Sequence, residues 1–186
     1  MQKRKVLSNI LITTSLLLLL FIYSPFVKAY LFPDKPILQE GGPFISIPRI
    51  SAYAPLIDDV DPWNEQEYRR ALKDGVAIAR GFAKPGETGT SFIFAHSSDS
   101  PWNITSYNTV FLRLGELKPG DIVELNYNGQ SHKYSVSHSV EVWPNEVENL
   151  TRTFGDQLIL QTCTPIGTSL KRLLVFATLI KESPQF

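Results

Sequence analysis

The chain has 186 residues, 43% hydrophobic and 11% aromatic, enough for one sizeable core once an apolar N-terminal segment is set aside. Formal net charge is zero, but residues 1–29 carry Lys3, Arg4, Lys5 and Lys28 and no acid, leaving 14 basic against 18 acidic side chains in the remainder. No basic run is available to neutralise phosphates, which argues against nucleic acid as a partner, and the single cysteine, Cys163, has no second thiol with which to pair.

Three basic residues precede 22 uncharged positions, Val6 to Val27. At 1.5 Å per residue these span about 33 Å, close to the hydrocarbon thickness of a bilayer. The positive-inside rule predicts a single-pass anchor with a cytoplasmic N-terminus and the folded domain outside the plasma membrane. A cleaved signal peptide is the alternative, but the apolar stretch is longer than the usual 7–15 residues. Residues 1–28 therefore read as basic tip and anchor, 29–43 ("AYLFPDKPILQEGGP") as a Pro/Gly-rich linker, and 44–186 as one exported domain.

Within that domain the pattern is mostly β. Phe44–Ile57 alternates but is interrupted by Pro48 and Pro55, which predicts short edge strands. Asp61-Pro62 reads as the cap and first position of a helix running to about Lys73 and stopping at Gly75. "GVAIARGF" and "SFIFAH" are strand candidates, with a helical turn expected near Val110–Leu114. Asn128-Gly129 predicts a type I′ turn in a long hairpin, whose second arm would set Tyr134, Val136, His138, Val140 and Val142 on one face. "QLILQT" and "RLLVFATLI" are continuous apolar runs, as in strands buried on both faces. Seven or eight strands with one or two short helices predict a mainly β fold, a closed antiparallel barrel.

Cys163 lies where a buried strand gives way to a polar loop. Free cysteines commonly serve as small core hydrophobes, yet an unpaired thiol in an exported protein is equally a candidate nucleophile. Arg172 opens the following strand; if the two are antiparallel neighbours, its guanidinium lies near the sulfur, where it could stabilise a thiolate or an acyl-transfer oxyanion. Otherwise it is a solvated strand-end cation, as Lys171 beside it is expected to be. His96 ends "SFIFAH" and could move protons near neutral pH. His138 is expected in a core or barrel-lining role and His132 in solvent. No His/Cys/Asp grouping has metal-ligand spacing, and neither a metal nor a cofactor is expected.

Together these segments resemble the sortase family of cell-surface cysteine transpeptidases. The family's Thr-Leu-x-Thr-Cys stretch corresponds to Ile159-Leu160-Gln161-Thr162-Cys163, with Ile159 replacing the first threonine, and its arginine to Arg172 in "KRLLVFA". "KPGETGTSFIFAHSS" matches the loop and strand before the family's histidine and points to His96. "SIPRISAYAPLI", "DPWNEQEYRRALKDGVA" and "LKPGDIVELNYNGQSHKYSV" are similar to its first strands, its helix and its central hairpin. The resemblance covers about Phe44 to Lys181.

It implies an eight-stranded barrel with catalytic His96, Cys163 and Arg172, and Thr162 as a substrate contact. The partners implied are a secreted protein with a Leu-Pro-x-Thr-Gly-like sorting signal and an amine acceptor from a peptidoglycan precursor or a pilin lysine. Pilin-polymerising members carry an Asp-Pro-aromatic lid before the first strand; Asp61-Pro62-Trp63 follows that strand and reads as a helix start. That position, with no second apolar span after Ile180, argues against that subclass. The segment Trp143–Gly155 occupies the place of the family's variable substrate loop. Two readings compete: a hydrolase with water as acceptor, and a non-catalytic peptide-binding barrel with Cys163 in its core.

Overall fold

The computed structural model describes residues 2–32, 42–97, 107, 109–147 and 155–181. The N-terminal helix α1 (Gln2–Leu31) contains one stretch, Arg4–Pro25, long and apolar enough to cross a membrane, and none of it is buried against the protein. The helix continues three residues past the expected start of the linker; positions 33–41 of that linker lie outside the described residues.

The domain comprises β1 (Phe44–Ile47), β2 (Ala52–Val60), α2 (Glu65–Ala71), β3 (Val76–Ala79), β4 (Thr90–Phe94), β5 (Ile122–Tyr127), β6 (Gln130–Val142), β7 (Gln157–Thr164) and β8 (Lys171–Leu179). These strands close into a barrel in the order β1-β2-β3-β4-β7-β8-β6-β5. Closure and strand number are as expected, but two seams, β2–β3 and β4–β7, are parallel, so the barrel is mixed rather than wholly antiparallel. Closure also removes the edges expected around the prolines. Pro48 begins a 3-10 turn after β1, and Pro55 sits opposite Phe44 at the end of a ladder, where its missing N–H is tolerated.

The core is built from both apolar runs and from alternating positions of the outer strands. Ile45 faces Leu125 across the β1–β5 seam, and Ile47, Val123, Leu158, Leu160 and Val175 complete the wall; all are fully buried. Each such side chain contributes about 1.5–3 kcal/mol of transfer free energy. The β5–β6 hairpin turns at Asn128 and Gly129, with φ of 51° and 75°, the pair of positive values a type I′ turn requires.

Three local readings are corrected. Helix α2 starts at Glu65 and is capped by Asn64, whose side chain accepts from the Glu67 N–H at 3.2 Å; Asp61 instead closes a turn by accepting from the Trp63 N–H. The helix ends at Ala71, before Lys73. Gly75 is a glycine for a different reason: a Cβ there would lie 2.3 Å from the Pro55 carbonyl oxygen, because β2 and the entry to β3 run in close contact. Backbone cannot rotate away as a side chain can, so Gly75→Ala is expected to cost about 1–3 kcal/mol of stability in urea unfolding.

The third correction concerns β6. Its register against β8 shifts between Val136 (opposite Ala177) and His138 (opposite Phe176), leaving Ser137 as the extra residue of a bulge. The Ser137 hydroxyl donates to the Phe176 carbonyl at 3.0 Å. The expected face otherwise continues past the bulge, with Tyr134, Val136 and Val142 buried and Val140 half-buried. His138, the residue next to the bulge, is the exception: it is exposed and stacked on Phe176 at 4.6 Å between ring centres, not lining the barrel. His132, expected in solvent, is half-buried with its ring against Gly86.

Candidate active site

Strand β7 is apolar on both faces because it is wedged between β4 and β8: Leu158, Ile159 and Leu160 are each fully buried. The apolar run gives out at Gln161, and the last three residues of the strand approach the barrel mouth. Cys163 there is a free, half-buried thiol.

Antiparallel pairing sets Cys163 directly opposite Arg172, so the two side chains leave the same face of the sheet. Nη1 of Arg172 donates to the carbonyls of Ser169 and Lys171, at 2.9 and 3.2 Å, which fixes the guanidinium to the loop that follows β7. A guanidinium carries five donors. Nε and Nη2 therefore remain to meet another group, and among the described residues no carboxylate is within ion-pair distance of them.

On the other side of β7 the parallel β4 ladder runs to Phe94 opposite Gln161. One step further, the Ala95 N–H donates to the Gln161 carbonyl at 3.1 Å. The Ala95 carbonyl in turn accepts from the Thr162 hydroxyl at 3.2 Å. His96, half-buried, is the next residue, so continuing the register brings it level with Cys163. Adjacent strands lie about 4.8 Å apart. Cys163 and Arg172 thus stand on neighbouring strands at one mouth, and His96 follows two residues past the end of β4, on the other side of β7. Thr162, expected to touch substrate, is 3% exposed and holds the end of β4 to β7 through its hydroxyl.

The mouth includes a cluster that sequence reasoning overlooked. Lys171, read as a solvated strand end, is half-buried, with Nζ 3.9 Å from Glu141 Oε2 and 5.4 Å from the centre of the Trp143 ring. The Thr164 hydroxyl donates to Glu141 Oε1 at 3.2 Å, tying β6 to β7. Trp143 in this cluster, and Ile166 and Leu170 in the loop between β7 and β8, expose large apolar surfaces, at 49%, 54% and 55%. Only the pairing of β6 with β8 reveals the cluster, since Glu141 and Lys171 are far apart in sequence. The expected substrate loop is described at Trp143–Val147 and Gly155; its centre lies outside the described residues.

A family model for the sortase domain matches residues 45–180, which is the whole barrel from β1 to β8. The chain belongs to the sortase family. Among solved structures this sortase is similar to sortase A from Corynebacterium diphtheriae, with 29% identity and a TM-score of 0.62 over 82% of this chain and 65% of that one. It is also similar to sortase C1 of Streptococcus agalactiae (25% identity, TM-score 0.63, 77% of this chain and 69% of that one). Sortase C-1 from Actinomyces oris matches at 25% identity and a TM-score of 0.63, over 87% of this chain and 99% of that one. The sortase thus spans about two thirds of the first of these chains. No curated protein sequence matches it.

Proposed function

We propose that this sortase is a membrane-anchored cysteine transpeptidase acting on a sorting signal of the Leu-Pro-x-Thr-Gly kind in a secreted protein. The Cys163 sulfur attacks the scissile carbonyl carbon. The C–N bond breaks, the departing amine takes a proton from His96, and a thioester remains on Cys163. An incoming amine, from a peptidoglycan precursor or a pilin lysine, then attacks the thioester; His96 accepts its proton and the sulfur leaves. Two amide-level steps replace one difficult exchange, and no ATP is consumed, which suits an enzyme outside the cell.

Arg172 has the role of stabilising the oxyanion formed in both steps, with Nε and Nη2 available to donate. Its loop-bound Nη1 keeps those donors oriented beforehand, so little reorganisation accompanies the reaction. The exposed Trp143, Ile166 and Leu170 supply apolar surface for the side chains of an extended peptide. The observation that carries this reading is the direct pairing of Cys163 with Arg172 beside the end of β4.

The test is intact-protein mass spectrometry after mixing the enzyme with a panel of sorting-signal peptides. An adduct equal to the N-terminal peptide fragment on Cys163, discharged into an amide when an amine is added, is the expected result. Release only as free acid despite excess amine would make the protein a hydrolase. Neither adduct nor cleavage with any peptide would leave the peptide-binding barrel.

A further inference from the structure

The last turn of α1 is not free of the domain. The Tyr30 hydroxyl donates to Glu116 Oε1 at 2.6 Å, and the guanidinium of Arg113 lies 5.2 Å over the Tyr30 ring. Arg113 also grips Glu116 in a bidentate pair, Nε to Oε1 at 3.0 Å and Nη2 to Oε2 at 2.7 Å. One aromatic side chain from the helix is therefore held from two directions by a pre-formed ion pair of the barrel. Hydrogen bonds from Arg113 and then Tyr30 hold the Glu116 carboxyl down at about 2, so the acceptor is charged at any ordinary pH.

Two distances decide what this contact does. Tyr30 is five residues beyond Pro25, the end of the apolar span, hence about 7.5 Å along the helix axis. That is the depth of the headgroup layer, where tyrosine is favoured in membrane helices. On the barrel side, Glu116 belongs to the 3-10 turn Leu114–Glu116, anchored by the fully buried Leu114. A Cβ at Gly115 would lie 3.5 Å from Leu173, the residue after Arg172 and the cross-strand partner of Thr162. The contact is therefore at the mouth end of the barrel, the end carrying Cys163.

We infer that Tyr30, Glu116 and Arg113 form a latch that docks the barrel's mouth end against the bilayer surface, so that Cys163 works at a fixed height on membrane-tethered substrates. The inference rests on the anchor reading given above. The masking of a single phenol is enough to test it, because the latch has no part in the chemistry.

The experiment uses the full chain in lipid nanodiscs. In a Cys163→Ala background, spin labels at Ser24→Cys on α1 and Lys118→Cys beside the 3-10 turn report the distance between helix and barrel. A single narrow distribution is expected, broadened by adding Tyr30→Ala or Glu116→Gln; identical distributions with and without those changes overturn the latch. With Cys163 restored and no labels, Tyr30→Ala is expected to slow cleavage of a peptide tethered to lipid by roughly tenfold, as positional advantage is lost. Cleavage of the same peptide free in solution should stay within about twofold. Equal effects on both peptides, or none on either, also overturn it. Absence of any cleavage by the parent protein counts against the proposed reaction alone, since the distance measurement still decides the latch.

Discussion

Cys163→Ala is expected to lower acyl transfer at least about 10⁴-fold, the loss seen when a covalent nucleophile is removed and only binding and oxyanion contacts persist. That corresponds to about 5 kcal/mol of transition-state stabilisation. The fold should scarcely notice. Cys163 is half-buried at a strand end rather than packed in the wall, so truncation to a methyl leaves little cavity and the change in unfolding free energy should stay within about 1 kcal/mol. The measurement is steady-state peptide cleavage beside a urea denaturation curve for the same preparation. Activity comparable to the parent would return Cys163 to the role of a small hydrophobe; a large loss of stability would show that the thiol's packing had been underestimated.

Arg172→Ala should be the second most damaging change, lowering kcat/KM by about 10²–10³, or about 2.7–4 kcal/mol, the range for removing an oxyanion donor. The more discriminating variant is Arg172→Lys. If only positive charge were needed, lysine would restore most of the rate. The geometry argues otherwise, because Arg172 spends Nη1 on the carbonyls of Ser169 and Lys171 while leaving other donors of the same rigid plane in place. An ammonium cannot divide its donors across a fixed fork in that way. Arg172→Lys is therefore expected to recover less than about tenfold over alanine, with thioester formation measured by rapid quench. Full recovery by lysine would show that the guanidinium acts as a point charge.

The sequence displayed the barrel's centre far more clearly than its margins. Strands β7 and β8 were legible because continuous apolar runs such as "LIL" and "LLVFA" suit walls covered on both sides. The hairpin was legible because Asn128-Gly129 demands one turn geometry. His96, Cys163 and Arg172 were visible as strand-end residues, and the approach of Arg172 to Cys163 followed from reading two successive strands as antiparallel neighbours; which strand flanks β7 on its other side was not visible, because that pairing is decided by the whole barrel. The parallel β4–β7 seam, which brings His96 level with Cys163, leaves no local signature.

The failures have equally local causes. Asp61-Pro62 satisfies the rules for a helix start, yet Asn64 also caps well, and the Glu67 side chain accepts the Asp61 N–H in a second interaction that stabilises the later start. His138 was misread because it adjoins the bulge at Ser137, while the expected face resumes at Val140 and Val142. The Tyr30 contact joins residues 86 apart in sequence, beyond the reach of any periodicity.

The parallel seam has one further consequence. Parallel neighbours cannot be joined by a tight turn, so the chain leaving His96 must travel through β5 and β6 before it returns as β7. Whereas the 165–170 loop holds Arg172 through the Ser169 carbonyl, the two connections at residues 97–121 and 143–156 each begin or end at the mouth, and their described residues lie outside the β4–β7–β8 ladder that aligns the reacting groups. Such connections can lengthen, shorten or change composition without disturbing that alignment. Relatives built on this plan are thus free to diverge in what they select while keeping one chemistry, and exchanging these segments between them should transfer preference rather than create or abolish reactivity.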